Sequence, residues 1–215
     1  MKMKKGEKMD KNKIVPKATL ERYPVYLKAL RHLRDLGMER VMSRELADYT
    51  GIEPTTIRRD FSFIGSLGKQ GYGYDIVSLI EIFNIELGLN IDEKIILVGA
   101  GNLGRALLNY NVWENVVGEI VCAFDIEPHQ NKFGIPVYHI DELEEKMPED
   151  CRIAILAIST DVQKTVDKLV ECGILGIVDF THEHIMVPKT IIVKAVDVVS
   201  TIQEMVFETN KQKRL

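Results

Sequence analysis

The spacing of apolar residues divides the chain into two parts. Up to about residue 88, apolar residues recur every three or four positions in short runs that end at glycines, which predicts helices. The first of these helices spans 18–36, with Pro24 in its first turn or at a kink. From about residue 90, short continuous apolar runs alternate with helical spacing, which predicts a parallel sheet covered by helices on both faces. The chain is therefore predicted to be an α/β protein with a smaller helical domain at its N-terminus.

Further helices and a hairpin complete the predicted N-terminal domain. The second helix spans 43–50, with Ser43 as its N-cap and a glycine after it as its stop. The third helix begins at Pro54, which suits a first helical position because proline lacks an N–H group. Residues 69–74 are predicted to form a tight hairpin, and a helix over 75–87 connects this domain to the next. The apolar face of the third helix consists of Ile57, Phe61 and Ile64.

The third helix is a candidate recognition helix of a helix-turn-helix, and the hairpin is a candidate wing. The face opposite its apolar residues presents hydroxyl and guanidinium groups, which bond phosphates and base edges. The N-terminal end of such a helix usually enters the major groove. The alternative is an ordinary three-helix subdomain with a solvated face, because helix-turn-helix patterns arise easily by chance. The candidate DNA-binding residues are Thr55, Thr56, Arg58, Arg59 and Ser62 of the helix and Lys69 of the wing.

The second part of the chain carries the predicted sheet. Each candidate strand is a short apolar run, and the segments between the runs have helical spacing. A last helix has one apolar face and is followed by a charged tail. Strands are predicted at 95–98, 120–124, 153–158, 174–178 and 191–196, and helices near 103–110, 140–146, 162–172 and 198–207.

A glycine motif stands directly after the first of these strands and opens a helix. Gly99 suits a tight turn, Gly101 lets the backbone approach a pyrophosphate, and Gly104 allows close packing of helix on strand. The next strand ends in Asp125, 21 positions beyond Gly104, where a carboxylate bonds ribose hydroxyls and repels a 2′-phosphate. A Rossmann domain that binds NAD(H) is therefore predicted, and the alternative is a glycine turn without a ligand. The candidate cofactor residues are Gly99, Ala100, Gly101, Asn102, Leu103, Gly104 and Asp125, with Ala157, Ile158 and Phe180 as nicotinamide walls.

Charge and cysteine content narrow the class of protein. Residues 1–75 carry 16 basic against 10 acidic residues, a net charge of +6, and the remaining residues carry 12 against 22, a net charge of −10. A basic module suits a polyanion, although a lysine-rich tail and chance would give the same asymmetry. The three cysteines form no CxxC pair, which disfavours a zinc site and fits a reducing cytoplasm. No apolar run reaches the ~20 residues that span a bilayer, so no membrane partner is expected.

The chain carries a distinctive set of segments at 16–24, 56–65, 71–74, 98–104, 124–125, 179–181 and around 196–197. Together they resemble the Rex family of redox-sensing transcriptional repressors. The resemblance implies a homodimer that binds inverted-repeat, double-stranded operator DNA while the NADH/NAD+ ratio is low. It also implies that NADH, in competition with NAD+, rotates the subunits and releases the DNA. The resemblance extends from residue 16 to about 208, and several of these segments are specific in combination.

The resemblance further implies a dimer interface and a switch. The C-terminal helix at 198–207 would be swapped onto the partner's Rossmann domain. Asp197 would contact Tyr110 in one state and Arg22 of the other subunit in the other state. Each residue also has an ordinary explanation, as an N-cap, a core-edge aromatic and a surface charge. The expected domains are a disordered basic arm (1–15), a winged-helix domain with a linker helix (16–88), a Rossmann domain (89–196), and a dimerisation helix and tail (197–215).

A small NAD-dependent oxidoreductase is the main alternative. Residues 90–215 suffice for a nucleotide domain but leave no separate substrate domain, and hydride transfer also needs a placed acid or base. His182-Glu183-His184 lacks the HExxH spacing of a zinc site, and His129 and His139 are candidates only by residue type. A nucleotide module like that of CoA ligases is a third possibility, but a basic N-terminal domain does not fit it. No catalytic or metal-binding residue is therefore assigned.

Overall fold

The computed structural model divides into two compact units, residues 1–89 and residues 90–215. The predicted N-terminal arm, except residue 15, lies outside the described residues. Of residues 68, 69 and 212, only the backbone is described. The structure describes residues 15–65, 68–69, 72–88, 93–109, 118–129 and 134–212.

The described part of the first unit contains helices and a small antiparallel sheet. The sheet has the order β1-β3-β2, so the hairpin β2–β3 is extended on its other side by β1. Helix α4 is the predicted recognition helix, and the hairpin is the predicted wing. The elements are α1 (Lys17–Leu20), α2 (Tyr23–Asp35), β1 (Arg40–Val41), α3 (Ser43–Thr50), α4 (Pro54–Phe61), β2 (Gly68–Lys69), β3 (Gly73–Asp75) and α5 (Ile76–Glu86).

The first predicted helix is divided in two. Helix α1 ends at Leu20 and α2 begins at Tyr23, whereas a single helix was expected over 18–36. Pro24 causes the break, because it has no N–H to donate to the preceding turn and its ring occupies the space that turn would need. The proline therefore lies in the first turn of α2, one of its two expected positions.

The cap of α3 also differs from the expectation. Ser43 is the first residue of the helix rather than its N-cap, and Met42 occupies the cap position. The Met42 N–H donates to the carboxylate of Glu45 at 2.6 Å. The Glu45 side chain thus provides an acceptor for the backbone N–H at the cap position. The C-terminal end agrees with the prediction, because Gly51 ends α3 in the left-handed region at φ 68°.

An aromatic cluster forms the centre of the first unit. Phe61 at the end of α4 meets the rings of Tyr26, Tyr74 and Phe83 edge-on, at centroid distances of 5.3, 5.0 and 5.5 Å. Phe83 belongs to α5, whose Ile76 and Leu79 are also buried. The predicted linker helix is therefore part of the hydrophobic core of this unit, and α4 is anchored to that core at its C-terminal end.

The described part of the second unit is built on six parallel strands with the order β6-β5-β4-β7-β8-β9. In chain order this is 3-2-1-4-5-6, the doubly wound order of dinucleotide-binding folds. The strand order reverses between β4 and β7, and ligands bind at the carboxyl ends of the strands at such a reversal. The elements are β4 (Lys94–Val98), α6 (Asn102–Leu108), β5 (Glu119–Asp125), β6 (Val137–His139), a short 3₁₀ turn (Ile140–Glu142), α7 (Leu143–Lys146), β7 (Ile153–Leu156), α8 (Val162–Glu171), β8 (Gly176–Asp179), β9 (Ile192–Ala195) and α9 (Val198–Gln212).

One strand of this sheet was not predicted. Strand β6 has three half-buried residues and pairs with β5 at the edge of the sheet, so it lacks the continuous apolar run of the central strands. The predicted strand at 153–158 ends at Leu156, which leaves Ala157 and Ile158 in the loop at the carboxyl edge. The central strands β4 and β7 are buried on both faces, as expected for a parallel sheet.

Helix α9 is longer than the predicted 198–207 and ends at Gln212. Within a single chain its apolar side chains are exposed to solvent. Among the described residues, no helix is long and apolar enough to cross a membrane. The exposed apolar residues of α9 are Val198, Val199, Ile202, Met205, Val206 and Phe207.

Candidate functional site

A cavity of about 710 Å³ lies at the carboxyl edge of the sheet in the second unit. It opens where the strand order reverses, between the loops that follow β4 and β7. Its volume is in the range that small-molecule sites occupy, roughly 300–1,000 Å³. Eight of the predicted cofactor residues line it, namely Gly99, Gly101, Asn102, Leu103, Asp125, Ala157, Ile158 and Phe180.

The glycine loop, defined here as residues 99–104 at the end of β4 and the start of α6, cannot accept side chains at two of its three glycines. Gly99 has φ +98°, and a Cβ there would run into the Ala157 carbonyl group. A Cβ on Gly104 would meet the Gly99 carbonyl oxygen, because α6 packs directly on the loop. A Cβ on Gly101 would have nothing within 4 Å, so the backbone at this residue faces open space. That space suits the close approach of a pyrophosphate at the N-terminus of α6.

Asp125 lies at the end of β5 and is hydrogen-bonded to the backbone of the glycine loop. Its Oδ2 accepts a hydrogen bond from the Ala100 N–H at 2.5 Å, and its Oδ1 accepts one from the Glu127 N–H at 2.9 Å. Ala100 itself is fully buried behind the loop. The carboxylate is therefore held at the rim of the cavity, at the position where such a group bonds ribose hydroxyls.

Further residues line the cavity that the sequence patterns did not single out. Lys164 and Lys168 lie one turn apart on α8, and Lys168 Nζ is 3.7 Å from Asp141 Oδ1. Helix α8 begins after Asp161, which has a left-handed φ of 51°. The i, i+4 spacing of the two lysines was the one sequence feature that could have indicated a role for them. Such spacing, however, is usually found on a solvent-exposed helix face. The lining residues of this kind include Asp141, Thr160, Asp161, Lys164, Thr165 and Lys168.

The surface of α4 in the first unit has the predicted polarity. Ile57 and Phe61 are buried, while Thr55, Arg58 and Arg59 are exposed. Thr56 is partly buried, and Ser62 lies just beyond the helix as its C-cap. An exposed face with two guanidinium groups and hydroxyls is able to bond a phosphate backbone and base edges.

Two of these side chains already have partners within the unit. Arg58 Nη1 donates to Ser43 Oγ of α3 at 2.9 Å, and Ser62 Oγ donates to the Arg59 carbonyl oxygen at 2.6 Å. The backbone of Lys69 pairs with Gly73 in the wing, but its side chain lies outside the described residues. The structure therefore places five of the six predicted DNA-binding side chains on or next to α4.

Arg22 forms a bidentate ion pair with Asp60 of α4. Its Nε donates to Asp60 Oδ2 at 2.6 Å and its Nη2 donates to Oδ1 at 2.8 Å. Asp60 is fully buried, and Arg22 is about one quarter exposed (24%). Sequence patterns gave Asp60 no role, because a polar residue on a polar helix shows nothing about partners 34 to 41 positions away.

The other two predicted switch residues are Asp197 and Tyr110. Asp197 caps the exposed helix α9, where it accepts hydrogen bonds from the N–H and hydroxyl of Ser200 at 2.9 and 2.6 Å. These bonds hold the pKa of Asp197 below its ordinary value. Tyr110 lies outside the described residues.

Among the described residues, no group of three or more His, Cys, Asp or Glu side chains could hold a metal ion. His182, His139 and Asp141 line the cavity, and His139 Nδ1 lies 3.4 Å from Asp141 Oδ2. Burial raises the pKa of the Cys122 thiol to about 12, so this cysteine is a core residue rather than a nucleophile. The groups that the cavity offers to a nucleotide are the backbone of the glycine loop and the Asp125 carboxylate.

Comparisons with known proteins cover both units. A family model named putative DNA-binding protein N-terminus matches residues 14–62, and one named CoA binding domain matches residues 90–183. The redox-sensing transcriptional repressor Rex of Listeria welshimeri is 39% identical over 206 residues, which cover 93% of this chain and 95% of that protein.

Solved structures are also similar to this chain over most of its length. The crystal structure of RSP, a Rex-family repressor, in complex with β-NAD+ and operator DNA is 30% identical to this chain. The match covers 94% of this chain and 95% of that one with a TM-score of 0.83. The structure of RSP with β-NADH is 29% identical, covers 94% and 97% of the two chains, and has a TM-score of 0.80.

Proposed function

The chain belongs to the Rex family of redox-sensing transcriptional repressors, and we propose that its first unit binds operator DNA while its second unit binds NADH and NAD+. The protein binds operator DNA while the NADH/NAD+ ratio is low, and NADH binding releases it. It acts in the cytoplasm, where the chromosome and the NADH pool meet. We expect no catalytic role, because a nucleotide-binding fold alone does not imply catalysis.

The observation that carries this proposal is the pairing of the glycine loop with Asp125 at the switch point of the sheet. The open backbone at Gly101 and the N-terminus of α6 suit the pyrophosphate. The Asp125 carboxylate suits the hydroxyls of an adenosine ribose and repels a phosphate at the 2′ position. Ala157, Ile158 and Phe180 would then form the wall against which the nicotinamide packs. This arrangement supports NADH and NAD+ as ligands in preference to NADPH.

The exposed face of α4 and the wing are the proposed DNA interface. The hydroxyls of Thr55 and Thr56 lie near the N-terminus of α4, the end that usually enters the major groove. Arg58 and Arg59 supply positive charge and bidentate donors, and Lys69 would add a phosphate contact from the wing. Ser62 lies at the opposite end of the helix, where it would contact the backbone of the DNA.

A homodimer is the proposed functional unit. The apolar side chains of α9 are exposed in a single chain, which is costly for a helix of this composition unless another surface covers them. The second copy would receive this helix by exchange, as the family resemblance implies. In that dimer, Asp197 would contact Tyr110 in one state and Arg22 of the partner in the other, so that rotation of the subunits changes the distance between two recognition helices.

The test is binding of the purified protein to a fluorescent inverted-repeat operator, followed by anisotropy during separate titrations with NADH, NAD+, NADPH and CoA. We expect tight binding without nucleotide, release at low NADH, and little response to NADPH or CoA, both of which carry an extra phosphate. Release by CoA but not by NADH would assign the cavity to a different nucleotide. DNA binding that ignores all four ligands would leave a repressor without a redox sensor, and absence of DNA binding would refute the proposal.

A further inference from the structure

A buried carboxylate connects the recognition helix to the start of the chain's first helical segment. Asp60 of α4 has no exposed surface, yet both of its oxygens accept hydrogen bonds from side chains. We infer that Asp60 positions α4 for DNA binding and is the residue through which Arg22 acts on that helix. Its bonds are Thr19 Oγ1 to Oδ1 at 3.0 Å, Tyr26 OH to Oδ2 at 2.6 Å, and Arg22 Nε and Nη2 at 2.6 and 2.8 Å.

The arrangement of the donors explains why they act together. Positions 19, 22 and 26 lie on one side of the segment formed by α1 and α2, and all three side chains converge on the same carboxylate of α4. Tyr26 also packs its ring on Phe61, the residue that follows Asp60. The C-terminal half of α4 is therefore held by an apolar and a polar contact at adjacent positions, which fixes its rotation about its own axis.

The charge of Asp60 makes this attachment strong. Burial alone would raise the pKa of Asp60, but the three donors outweigh burial and hold the pKa below its ordinary value. The group is thus ionised at neutral pH, and its hydrogen bonds are charge-assisted. A buried carboxylate that loses a charged partner is strongly destabilised. Rotation of α4 would break these bonds, so the exposed arginines of α4 are kept on the DNA-facing side.

Arg22 is the member of this network that an outside group is able to reach. Thr19 and Tyr26 are buried, whereas Arg22 keeps about a quarter of its side-chain surface in solvent (24%). A carboxylate that drew Arg22 away would leave Asp60 with two neutral donors. This step rests on the proposed function, in which Asp197 of a second copy is that carboxylate. Movement of one guanidinium would then loosen the recognition helix directly.

The first test compares Asp60→Asn with Asp35→Asn in the full-length protein. Each change removes one negative charge, and Asp35 is exposed at the end of α2. Charge alone predicts that both variants bind DNA as tightly as the parent or more tightly. If Asp60 positions α4, Asp60→Asn should instead lower operator affinity, by about tenfold or more. The ratio of its affinity for the operator to its affinity for a scrambled duplex should also fall. NADH affinity should stay unchanged in both variants, which shows that the second unit is intact, and parent-like tyrosine circular dichroism would show that the first unit is still folded.

The second test asks whether Arg22 acts through Asp60. Arg22→Gln alone should weaken operator binding to a similar degree as Asp60→Asn, and the double variant should lose little more than either single variant. If Asp60→Asn fails to fold, Tyr26→Phe removes one bond to the carboxylate and keeps the ring in place, and we expect it to reduce operator affinity severalfold.

Three outcomes would overturn the inference. Parent-like operator binding by Asp60→Asn, or by Tyr26→Phe where that variant is needed, would show that the carboxylate does not position α4. Additive losses in the double variant would show that Arg22 acts by another route. Failure of the unsubstituted protein to bind operator would refute the proposed function and this inference together, whereas the first two outcomes refute this inference alone.

Discussion

In the second unit the candidate site depends on backbone that side chains would obstruct, whereas in the first unit it depends on side chains held by a buried charge. Gly99 and Gly104 leave no room for a Cβ, and the loop between them faces the cavity. By contrast, α4 is fixed by Asp60 and its donors. The glycine loop is therefore sensitive to added side-chain volume, and the attachment of α4 is sensitive to the charge of Asp60.

The largest effect should follow from added volume in the glycine loop. Gly104→Ala places a methyl group against the Gly99 carbonyl oxygen, and backbone rather than a flexible side chain would have to move. We expect the second unit to lose about 3 kcal/mol of unfolding free energy and the protein to lose NADH binding. Chemical unfolding followed by Trp113 fluorescence and titration with NADH would measure both, because the single tryptophan belongs to the second unit.

Gly101→Ala is the matched control. A Cβ at Gly101 has nothing within 4 Å, and the residue needs no left-handed φ, so the fold should keep its stability to within about 1 kcal/mol. NADH affinity should still fall, since the methyl group would stand where the pyrophosphate approaches the backbone. Equal stability and equal NADH binding in Gly104→Ala and the parent would contradict the view that this site is built from crowded backbone.

Acid should weaken the first unit through protonation of Asp60. The pKa of Asp60 lies below its ordinary value of 3.8 in the folded protein, so the folded state binds fewer protons at this group than the unfolded state. Its contribution is complete above about pH 4 and is lost as pH falls through the folded pKa. We expect a loss of about 2 kcal/mol when the charge-assisted bonds become neutral. Thermal unfolding between neutral pH and about pH 2 would measure it, with tyrosine circular dichroism reporting mainly on the first unit.

The groups around Asp60 do not titrate in that pH range. Burial raises the pKa of Tyr26, and burial together with Glu86 and Asp60 raises the pKa of Tyr23 to about 12. Asp60→Asn should therefore reduce the acid sensitivity of the first unit, while Asp35→Asn should retain it. The part that remains belongs to Asp75, whose pKa is also lowered, by the hydrogen bond from the Ser78 N–H. An acid transition of unchanged size in Asp60→Asn would assign the sensitivity to carboxylates other than Asp60.

The two units also differ in how much of them the sequence predicts. The glycine loop and Asp125 form a local motif, because each residue satisfies a backbone requirement of its own strand or turn. The central strands were predicted from their apolar runs, but β6 was missed because its three residues are only half-buried. Asp60 carries no local signal at all, since its partners on α1 and α2 come near it only when the chain folds.

Substitution of Asp125 should change the preference between NADH and NADPH, an effect of intermediate size. Asp125→Asn removes the charge that repels a 2′-phosphate, so we expect NADPH to bind about tenfold more tightly and NADH somewhat less tightly. Titration of operator release with both nucleotides would measure the change. Glu127→Gln removes the same charge two residues away, outside the residues that line the cavity, and should leave the preference intact. An equal gain in Glu127→Gln would mean that general electrostatics, rather than contact with the ribose, selects the cofactor.

The smallest effect concerns the bond that holds Arg58. Ser43→Ala removes the acceptor of the Arg58 guanidinium without changing any charge. We expect operator affinity to fall by about 0.5–1 kcal/mol, because an unrestrained arginine loses more entropy when it binds DNA. The slope of affinity against salt should stay the same, since the number of phosphate contacts is unchanged. Arg58→Ala should instead lower that slope by about 0.9 if it binds a phosphate.

The two substitutions together distinguish restraint from direct contact. Ser43→Ala should have no further effect in the Arg58→Ala background, because its only expected action is through the guanidinium. A loss that persists there would mean that Ser43 itself touches the DNA. If Ser43→Ala instead tightens operator binding, the bond to Arg58 holds the guanidinium away from the DNA, and α4 would present Arg59 rather than Arg58 as its main charged contact.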